Sequence, residues 1–286
     1  MLVTGSDILD IANENNFAVP AFNISSYSML RAVVDTCEEK RSPHIIAIHP
    51  DELSHIRPAM LASIVRIAHE SSVPTAIHLD HGASYEQVIL AIQSGFTSVM
   101  IDKSLEPFED NVEITKRVVS TAHAVGLTVE AELGTIGVSD KYGETGSEEI
   151  LYTDPDDAER FIEATGADWL AIAIGTRHGL YPSDVKPALR LDLLEQIKSR
   201  LNIPLVLHGG SNNSDTEIAG AVHRGINKIN ISSDIKAAYY LRMREVLSDI
   251  HLREPNVIEP LCEAALRTCA AQKIDLFESA GKADLY

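Results

Sequence analysis

Short apolar runs, many of them rich in β-branched residues, recur along the chain, and a polar cluster follows each run. The stretches between the runs place apolar residues at helical spacing, as in 29–39, 60–69 and 191–200. This alternation, with a repeat of roughly 25–35 residues, predicts parallel strands joined by helical crossovers. The predicted strands cover residues 18–22, 45–48, 75–79, 98–101, 128–133, 169–174, 204–207 and 228–231.

Eight strand–helix units in a chain of 286 residues favour a closed (β/α)8 barrel, a TIM barrel of the α/β class. We therefore predict a single barrel domain over residues 1–286, with a C-terminal helical extension after the last strand. An open, doubly wound sheet is the main structural alternative. It has less support because no G-x-G-x-x-G fingerprint follows the first run.

Polar residues follow the apolar runs at the same end in every unit. In a parallel barrel these strand ends share one face, and that face carries the active sites of barrel enzymes. Polar residues scattered over a surface would not keep this phase through eight repeats. The residues predicted on this face are Asn23, His49, Asp51, Asp80, His81, Asp102, Ser104, Glu130, Glu132, His178 and those of 208–211 and 230–233.

Three of these residues, His81, His178 and His208, follow three different strands and could converge on one ion. Three imidazoles with a fourth position open are typical of catalytic zinc, which polarises a substrate oxygen. A glycine follows each histidine and permits close approach of backbone or ligand. Each histidine taken singly also fits a hydrogen-bonded loop residue, but the three together favour a metal centre.

Four carboxylates accompany the histidines. Asp80 directly precedes His81 and fits either a general acid–base or a partner that orients a ligand histidine. Glu130 and Glu132 lie two residues apart on one strand, so both side chains point into the barrel. Together with Asp102, they predict a second metal site, hydrogen bonds to the ligand histidines, or a salt-bridge network inside the barrel.

Two further segments suggest substrate handling. The Gly- and Ser-containing loops 208–211 and 230–233 follow the last two strands, where barrel enzymes often bind phosphate through backbone N–H groups and hydroxyls. The longest connection covers residues 134–153 and contains several glycines and acidic residues. A long polar loop above an active face predicts a mobile lid.

Composition narrows the partners. The formal net charge of −18 argues against nucleic acid and against an anionic membrane surface, but local cations or backbone N–H groups can still bind a phosphorylated small molecule. The sequence contains no recognisable secretion leader or spanning segment. Its three cysteines match no zinc or redox spacing, so we expect reduced thiols and a cytoplasmic location.

The motifs resemble those of class II ketose-bisphosphate aldolases, especially the tagatose- and fructose-bisphosphate branch. The signature segments are I-H-L-D-H-G at 77–82 and V-E-A-E-L-G at 129–134. Further similar segments lie at 20–23, 174–181, 207–211 and 228–231, in the order typical of the family. The resemblance therefore spans nearly the whole chain.

The resemblance implies reversible cleavage of a tagatose- or fructose-type ketose 1,6-bisphosphate to dihydroxyacetone phosphate and glyceraldehyde 3-phosphate. It also implies zinc, no organic cofactor, and a monovalent cation, Na⁺ or K⁺, near the phosphate. By this resemblance Asp80 exchanges a proton with the C4 oxygen and Asp140 is the lid acid. The implied zinc ligands are His81, His178 and His208, the secondary metal and support residues are Asp102, Glu130 and Glu132, and the substrate-binding residues are Asn23, Gly179, Gly209, Ser211, Asn230 and Ser233.

The chain departs from the family pattern at several positions. Asp140 stands where the family usually has glutamate, so another lid acid could take its role: Glu144, Glu148 or Glu149. His49, Lys103 and Arg177 also stand where other residues are usual. These departures leave a ketose 1-phosphate or another ketose phosphate open as the substrate.

Three other functions compete with this interpretation. A barrel metallohydrolase has little support, because the paired His-x-His on the first strand is absent. Tagatose-type aldolases can associate with a non-catalytic accessory subunit, but the presence of Asp80 and all three histidines favours a catalytic chain. A Schiff-base aldolase needs a lysine at a strand end, and only Lys103 and Lys228 lie near one. We expect a homodimer or homotetramer, with an accessory subunit as a further partner.

Overall fold

The computed structural model describes residues 1–138, 150–179, 188–211 and 213–286. Eight parallel strands form a closed barrel in the order β1-β10-β9-β7-β5-β4-β3-β2, which confirms the predicted TIM barrel. A small two-stranded sheet, β6 with β8, lies beside it. The strands are β1 Val19–Asn23, β2 His44–Ile48, β3 Thr75–Gly82, β4 Ser98–Ile101, β5 Thr128–Leu133, β6 Gly137–Val138, β7 Trp169–Ile172, β8 Arg177–His178, β9 Leu205–Leu207 and β10 Ile226–Ile231.

Helices alternate with the barrel strands, as the hydrophobic periodicity predicts. The helix predicted at 60–69 belongs to a longer segment that begins at Pro50, where His49 caps the first turn. That segment bends at Arg57, which has a φ of 61°. The helices are α1 Gly5–Glu14, α2 Tyr27–Glu39, α3 Pro50–Glu70, α4 Tyr85–Gln93, α5 Phe108–His123, α6 Pro155–Thr165, α7 Leu191–Arg200, α8 Asp215–Val222, α9 Ser233–Val246 and α10 Pro255–Leu276.

The apolar side chains form two separate cores. The larger core lies between the strands and the surrounding helices, and the smaller one fills the barrel interior. Helix α1 packs against the amino-terminal end of the barrel, and its residues Ile8, Leu9 and Ala12 join the inner core. The inner core also contains Val19, Ala21, Ile45, Ala47, Ala76, Met100, Trp169, Ala171 and Val206. Helix α1 and this apolar layer therefore close the barrel below the active face.

The C-terminal helix α10 packs against α2 and α9 on the outside of the barrel. The predicted lid over residues 134–153 stays a prediction, because residues 139–149 lie outside the described ranges. Within those ranges, no helix combines the length and the apolar character needed to cross a membrane.

Candidate active site

Three histidine rings meet at the carboxyl-terminal end of the barrel. The ring of His81 lies 5.1 Å from that of His178 and 4.4 Å from that of His208, measured between centroids. One nitrogen from each ring lies within 4.8 Å of the other two, and all three residues are buried. The convergence expected from three separate strand ends is therefore present.

An unusual backbone conformation brings two neighbouring residues into this site. Successive side chains of a strand point to opposite faces, so Asp80 and His81 would normally face apart. His81 has a φ of 49°, in the left-handed region that non-glycine residues rarely adopt. At Gly82 a Cβ would lie 2.4 Å from the carbonyl oxygen of Met100, so only glycine fits there. This local strain, of order 1–3 kcal/mol, lets both side chains reach the site.

The other two histidines depend on close backbone packing between loops. His178 belongs to β8, which pairs with β6 outside the barrel. At Gly209, whose φ is 64°, a Cβ would lie 2.7 Å from the carbonyl oxygen of Arg177. The loop that follows His208 can therefore approach the strand that carries His178 only because glycine occupies this position.

Carboxylates fix the orientation of two of the rings. Nδ1 of His81 lies 2.8 Å from Oδ2 of Asp102, and Nε2 of His208 lies 2.6 Å from Oε1 of Glu130. The opposite nitrogens, Nε2 of His81 and Nδ1 of His208, are buried and have no hydrogen-bond partner among the residues that the structure describes. A carboxylate that holds one ring nitrogen and leaves the other to a metal is the usual arrangement around metal-binding histidines. The described residues thus fit a metal ion between the three rings.

The remaining acidic residues fall into two groups. Asp102 and Glu132 form with His81 a second cluster whose ligand atoms lie within 4.8 Å of one another. Glu130 is placed differently, because its second oxygen accepts a hydrogen bond of 2.8 Å from Nζ of the fully buried Lys228. The structure therefore gives Glu130 contacts with a histidine and a lysine, while Asp102 and Glu132 share the possible second ion site.

Asp80 is held between two amides at the centre of the site. Its Oδ2 accepts a hydrogen bond from Nδ2 of Asn23, and its Oδ1 accepts one from Nδ2 of Asn230, both at 2.8 Å. Nδ1 of His208 lies 3.8 Å from Oδ1. All these side chains are nearly or completely buried. This carboxylate is therefore fixed beside the metal-facing nitrogen of His208.

A family model described as class II fructose-bisphosphate aldolase matches residues 3–282 of this chain. The chain belongs to the class II fructose-bisphosphate aldolase family. It is 38% identical to a fructose-bisphosphate aldolase of Thermus caldophilus, over 99% of this chain and 100% of that protein. A fructose-bisphosphate aldolase of Geobacillus stearothermophilus is 37% identical, with 99% of each chain covered.

The fold of this class II aldolase family member also agrees with solved structures. The crystal structure of the YdjI aldolase from Escherichia coli K12 is similar, with a TM-score of 0.88 and 35% identity over 99% of this chain and 100% of that one. The prediction of the family, and with it the aldolase class, is confirmed. Members of this family use a metal, and the histidine cluster could bind one.

Electrostatics in this class II aldolase site favour a positive charge between the carboxylates. Burial alone would lower the pKa of His81, but the surrounding carboxylates, Asp80 first, raise it well above its usual value. Burial raises the pKa of Glu132, and the charge of Asp102 raises it further. Burial would also raise the pKa of Asp80, but the nearby cationic groups hold it well below its usual value. A pocket that stabilises an imidazolium in this way also stabilises a metal cation.

The predicted phosphate loops lie next to each other. The backbone N–H of Asp234, in the first turn of α9, points to the hydroxyl oxygen of Ser211 at 3.4 Å. Nδ2 of Asn213 donates to the carbonyl oxygen of Gly209 at 2.9 Å and shapes the same loop. Helix α9 begins at Ser233. Gly179 follows His178 and has a φ of 89°. The predicted lid acid, Asp140, lies outside the described residues.

The positions that depart from the family pattern border the site. His49 caps α3, because its Nδ1 accepts from the backbone N–H of Asp51 at 3.2 Å, and its ring lies 6.2 Å from that of His81. Lys103 lines a cavity of about 210 Å³ next to His81. Arg177 directly precedes His178 in β8. All three therefore lie next to residues of the histidine cluster.

Sequence reasoning missed two pairs of charged residues. Lys228 was considered only for Schiff-base chemistry, but its ammonium group is bound to Glu130 inside the barrel. Its signal was a charged residue within an apolar strand, two positions before Asn230 and so on the same face. The second pair is Glu52 in α3 and Lys236 in α9, with Nζ of Lys236 at 2.6 Å from Oε1 of Glu52. These residues are far apart in the sequence, so no local pattern indicates their contact.

Proposed function

We propose that this protein catalyses zinc-dependent, reversible aldol cleavage of a ketose 1,6-bisphosphate to dihydroxyacetone phosphate and glyceraldehyde 3-phosphate. The observation that carries the proposal is the pair of buried imidazole nitrogens, on His81 and His208, that face the same point beside the fixed carboxylate of Asp80. Family membership supports the reaction class.

Each protein group has a distinct role in this proposal. His81, His178 and His208 would hold the ion. Zinc there supplies Lewis-acid polarisation of the ketose oxygens. In the cleavage direction Asp80 takes the proton of the C4 hydroxyl, and in condensation it returns that proton to the aldehyde oxygen. The amides of Asn23 and Asn230 hold this carboxylate in place.

The C1 phosphate would bind at the loop of Gly209 and Ser211 and at the start of α9. The backbone N–H groups of a helix start attract phosphate, and the positive end of the helix dipole adds to that attraction. Ser233 opens this helix. A Na⁺ or K⁺ ion beside the loop would offset the negative charge that phosphate brings to an acidic protein.

A separate acid is needed for the proton at C3 of dihydroxyacetone phosphate. We assign it to Asp140 in the predicted lid. The enzyme should therefore exchange a C3 proton of dihydroxyacetone phosphate with solvent in the absence of any aldehyde. This partial reaction needs the metal and the lid acid, but not proton transfer at the C4 oxygen by Asp80.

The decisive experiment compares substrates on the purified, zinc-loaded protein. We expect kcat/KM for a ketose 1,6-bisphosphate to exceed that for the matching 1-phosphate by at least about tenfold, the effect of one modest charged contact. Arg177→Ala should narrow this difference if the guanidinium contacts the second phosphate. Equal or faster turnover of the 1-phosphate would refute the bisphosphate assignment and leave the aldolase reaction intact.

Metal dependence is tested on the same preparation. Exhaustive chelation should abolish cleavage, and added Zn²⁺ should restore it. Full activity after chelation would contradict the proposed mechanism, and a zinc-loaded chain with no cleavage of any ketose phosphate would favour the accessory-subunit alternative. We expect the enzyme to act in the cytoplasm. We also expect a homodimer or homotetramer, and light scattering of the purified protein would measure its molar mass.

A further inference from the structure

Glu52 is a buried carboxylate at the edge of the active face whose contacts go beyond a helix cap. One of its oxygens, Oε2, accepts the backbone N–H of His49 at 2.9 Å and completes a capping box at the start of α3. The other, Oε1, accepts a hydrogen bond of 2.6 Å from Nζ of Lys236 in α9. The pair therefore joins the first turns of α3 and α9, the helices that follow β2 and β10 on either side of β1.

The strand between these loops ends in Asn23, whose amide lies between two carboxylates. Nδ2 of Asn23 is 2.8 Å from Oδ2 of Asp80 and 3.5 Å from Oε2 of Glu52. An amide nitrogen carries two protons, so one can be directed to each carboxylate. With acceptors on both sides, the nitrogen rather than the oxygen of the amide must face them.

This orientation also determines what the other end of the amide offers. Oδ1 of Asn23 is buried and has no hydrogen-bond partner within the described part of the chain. A buried acceptor without a partner is costly unless a ligand satisfies it. If the amide turned over, Oδ1 would face Asp80 and repel it, and Asp80 would lose one of its two amide donors.

We propose that Glu52 is a positioning residue for the proposed aldolase reaction. It fixes the amide of Asn23 so that Nδ2 holds Asp80 and Oδ1 is presented to a hydroxyl of the aldehyde half of the substrate. Lys236 keeps Glu52 in place from the opposite side. This inference rests on the proposed function, because it concerns the carboxylate that handles the C4 proton.

The proposal separates two reactions that a general loss of structure would affect together. Cleavage needs Asp80 in position, whereas solvent exchange of the C3 proton of dihydroxyacetone phosphate needs the metal and the lid acid. In Glu52→Gln, we expect kcat for cleavage to fall roughly 10- to 100-fold, the usual scale for groups that orient a catalytic or ligand residue. The exchange rate, bound zinc and Tm should stay close to those of the unsubstituted enzyme.

A second substitution tests the orientation argument directly. In Glu52→Gln the new amide has one oxygen, and Lys236 attracts that oxygen away from Asn23. Adding Lys236→Met removes the attraction, so the oxygen can face Asn23 again. We therefore expect the double variant to be faster in cleavage than Glu52→Gln alone, a non-additive result that simple loss of contacts does not produce.

Glu263→Gln provides a matched control, because Glu263 is an equally buried carboxylate paired with Arg31 on the α2–α10 side of the molecule. It should leave both reactions unchanged. The positioning role is refuted if Glu52→Gln cleaves at the normal rate, if cleavage and exchange fall in parallel, or if the double variant is no faster than the single one. An unsubstituted enzyme that neither cleaves nor exchanges would instead refute the proposed function.

Discussion

His44 should make the stability of the fold fall in mild acid. Its side chain is completely buried at the start of β2, where Nε2 lies 3.5 Å from the hydroxyl oxygen of Thr75. Burial lowers the pKa of His44 from 6.5 to about 3, and the N-terminal ammonium group acts in the same direction. The folded protein therefore keeps this imidazole neutral at pH values where the unfolded chain binds a proton.

The size of the effect follows from proton linkage. A lowered histidine pKa gives stability that is complete above pH 6.5 and is lost progressively as the pH falls towards about 3. At pH 5 the unfolded chain binds this proton and the folded protein does not, which lowers the free energy of unfolding by about 2 kcal/mol relative to pH 7.5. Below both pKa values the loss approaches about 5 kcal/mol, a large part of the stability of a typical domain.

Urea unfolding at pH 7.5 and at pH 5.0 would measure this contribution in the unsubstituted protein and in His44→Gln. Both would be studied with a chelator present, so that metal binding does not add its own pH dependence. The unsubstituted protein should lose about 2 kcal/mol more than the variant between these pH values. His55→Gln, at an exposed position, controls for the substitution itself. Equal losses in the unsubstituted protein and His44→Gln would refute the linkage argument.

Four further predictions concern the site. His208→Ala should lose most bound zinc and nearly all cleavage, measured by metal analysis and kinetics, because two protein ligands hold zinc poorly; normal zinc content would remove His208 from the ligand set. Asp80→Asn should keep zinc but lose kcat by roughly 10²-fold, whereas a change in KM alone would make it a binding residue. Asp140→Ala should slow solvent exchange of dihydroxyacetone phosphate with zinc retained, and unchanged exchange would move the role to another lid acid. Lys228→Met should destabilise the protein by about 3–5 kcal/mol in urea unfolding, because it leaves Glu130 buried without its cation; an unchanged midpoint would contradict that pairing.

The barrel and most of the site could be predicted because they depend on local patterns. The strands at 98–101 and 128–133 comprise the same residues as predicted. The strand predicted at 169–174 ends at Ile172, because the chain then leaves the barrel and Arg177–His178 pairs with Gly137–Val138 instead. Period-two alternation also identified the inward side of β5, where Glu130 and Glu132 lie.

Other features depend on contacts that local periodicity does not contain. The left-handed backbone of His81 breaks the alternation that would place it opposite Asp80. The position of Glu52 against Lys236 requires the first turns of two helices that are far apart in sequence to meet beside β1. Hydrogen-bond partners of this kind follow from the closed barrel, so they become visible only when the whole fold is known.

The distribution of the three histidines along the chain has a consequence for biosynthesis. His81 is made early, while His208 follows β9 and precedes β10, the strand that pairs with β1 to close the barrel. A nascent chain that still holds β9 in the ribosome cannot offer the complete ligand set. A metal held by all three rings is therefore acquired only after His208 has emerged, so metal loading belongs to the late part of synthesis.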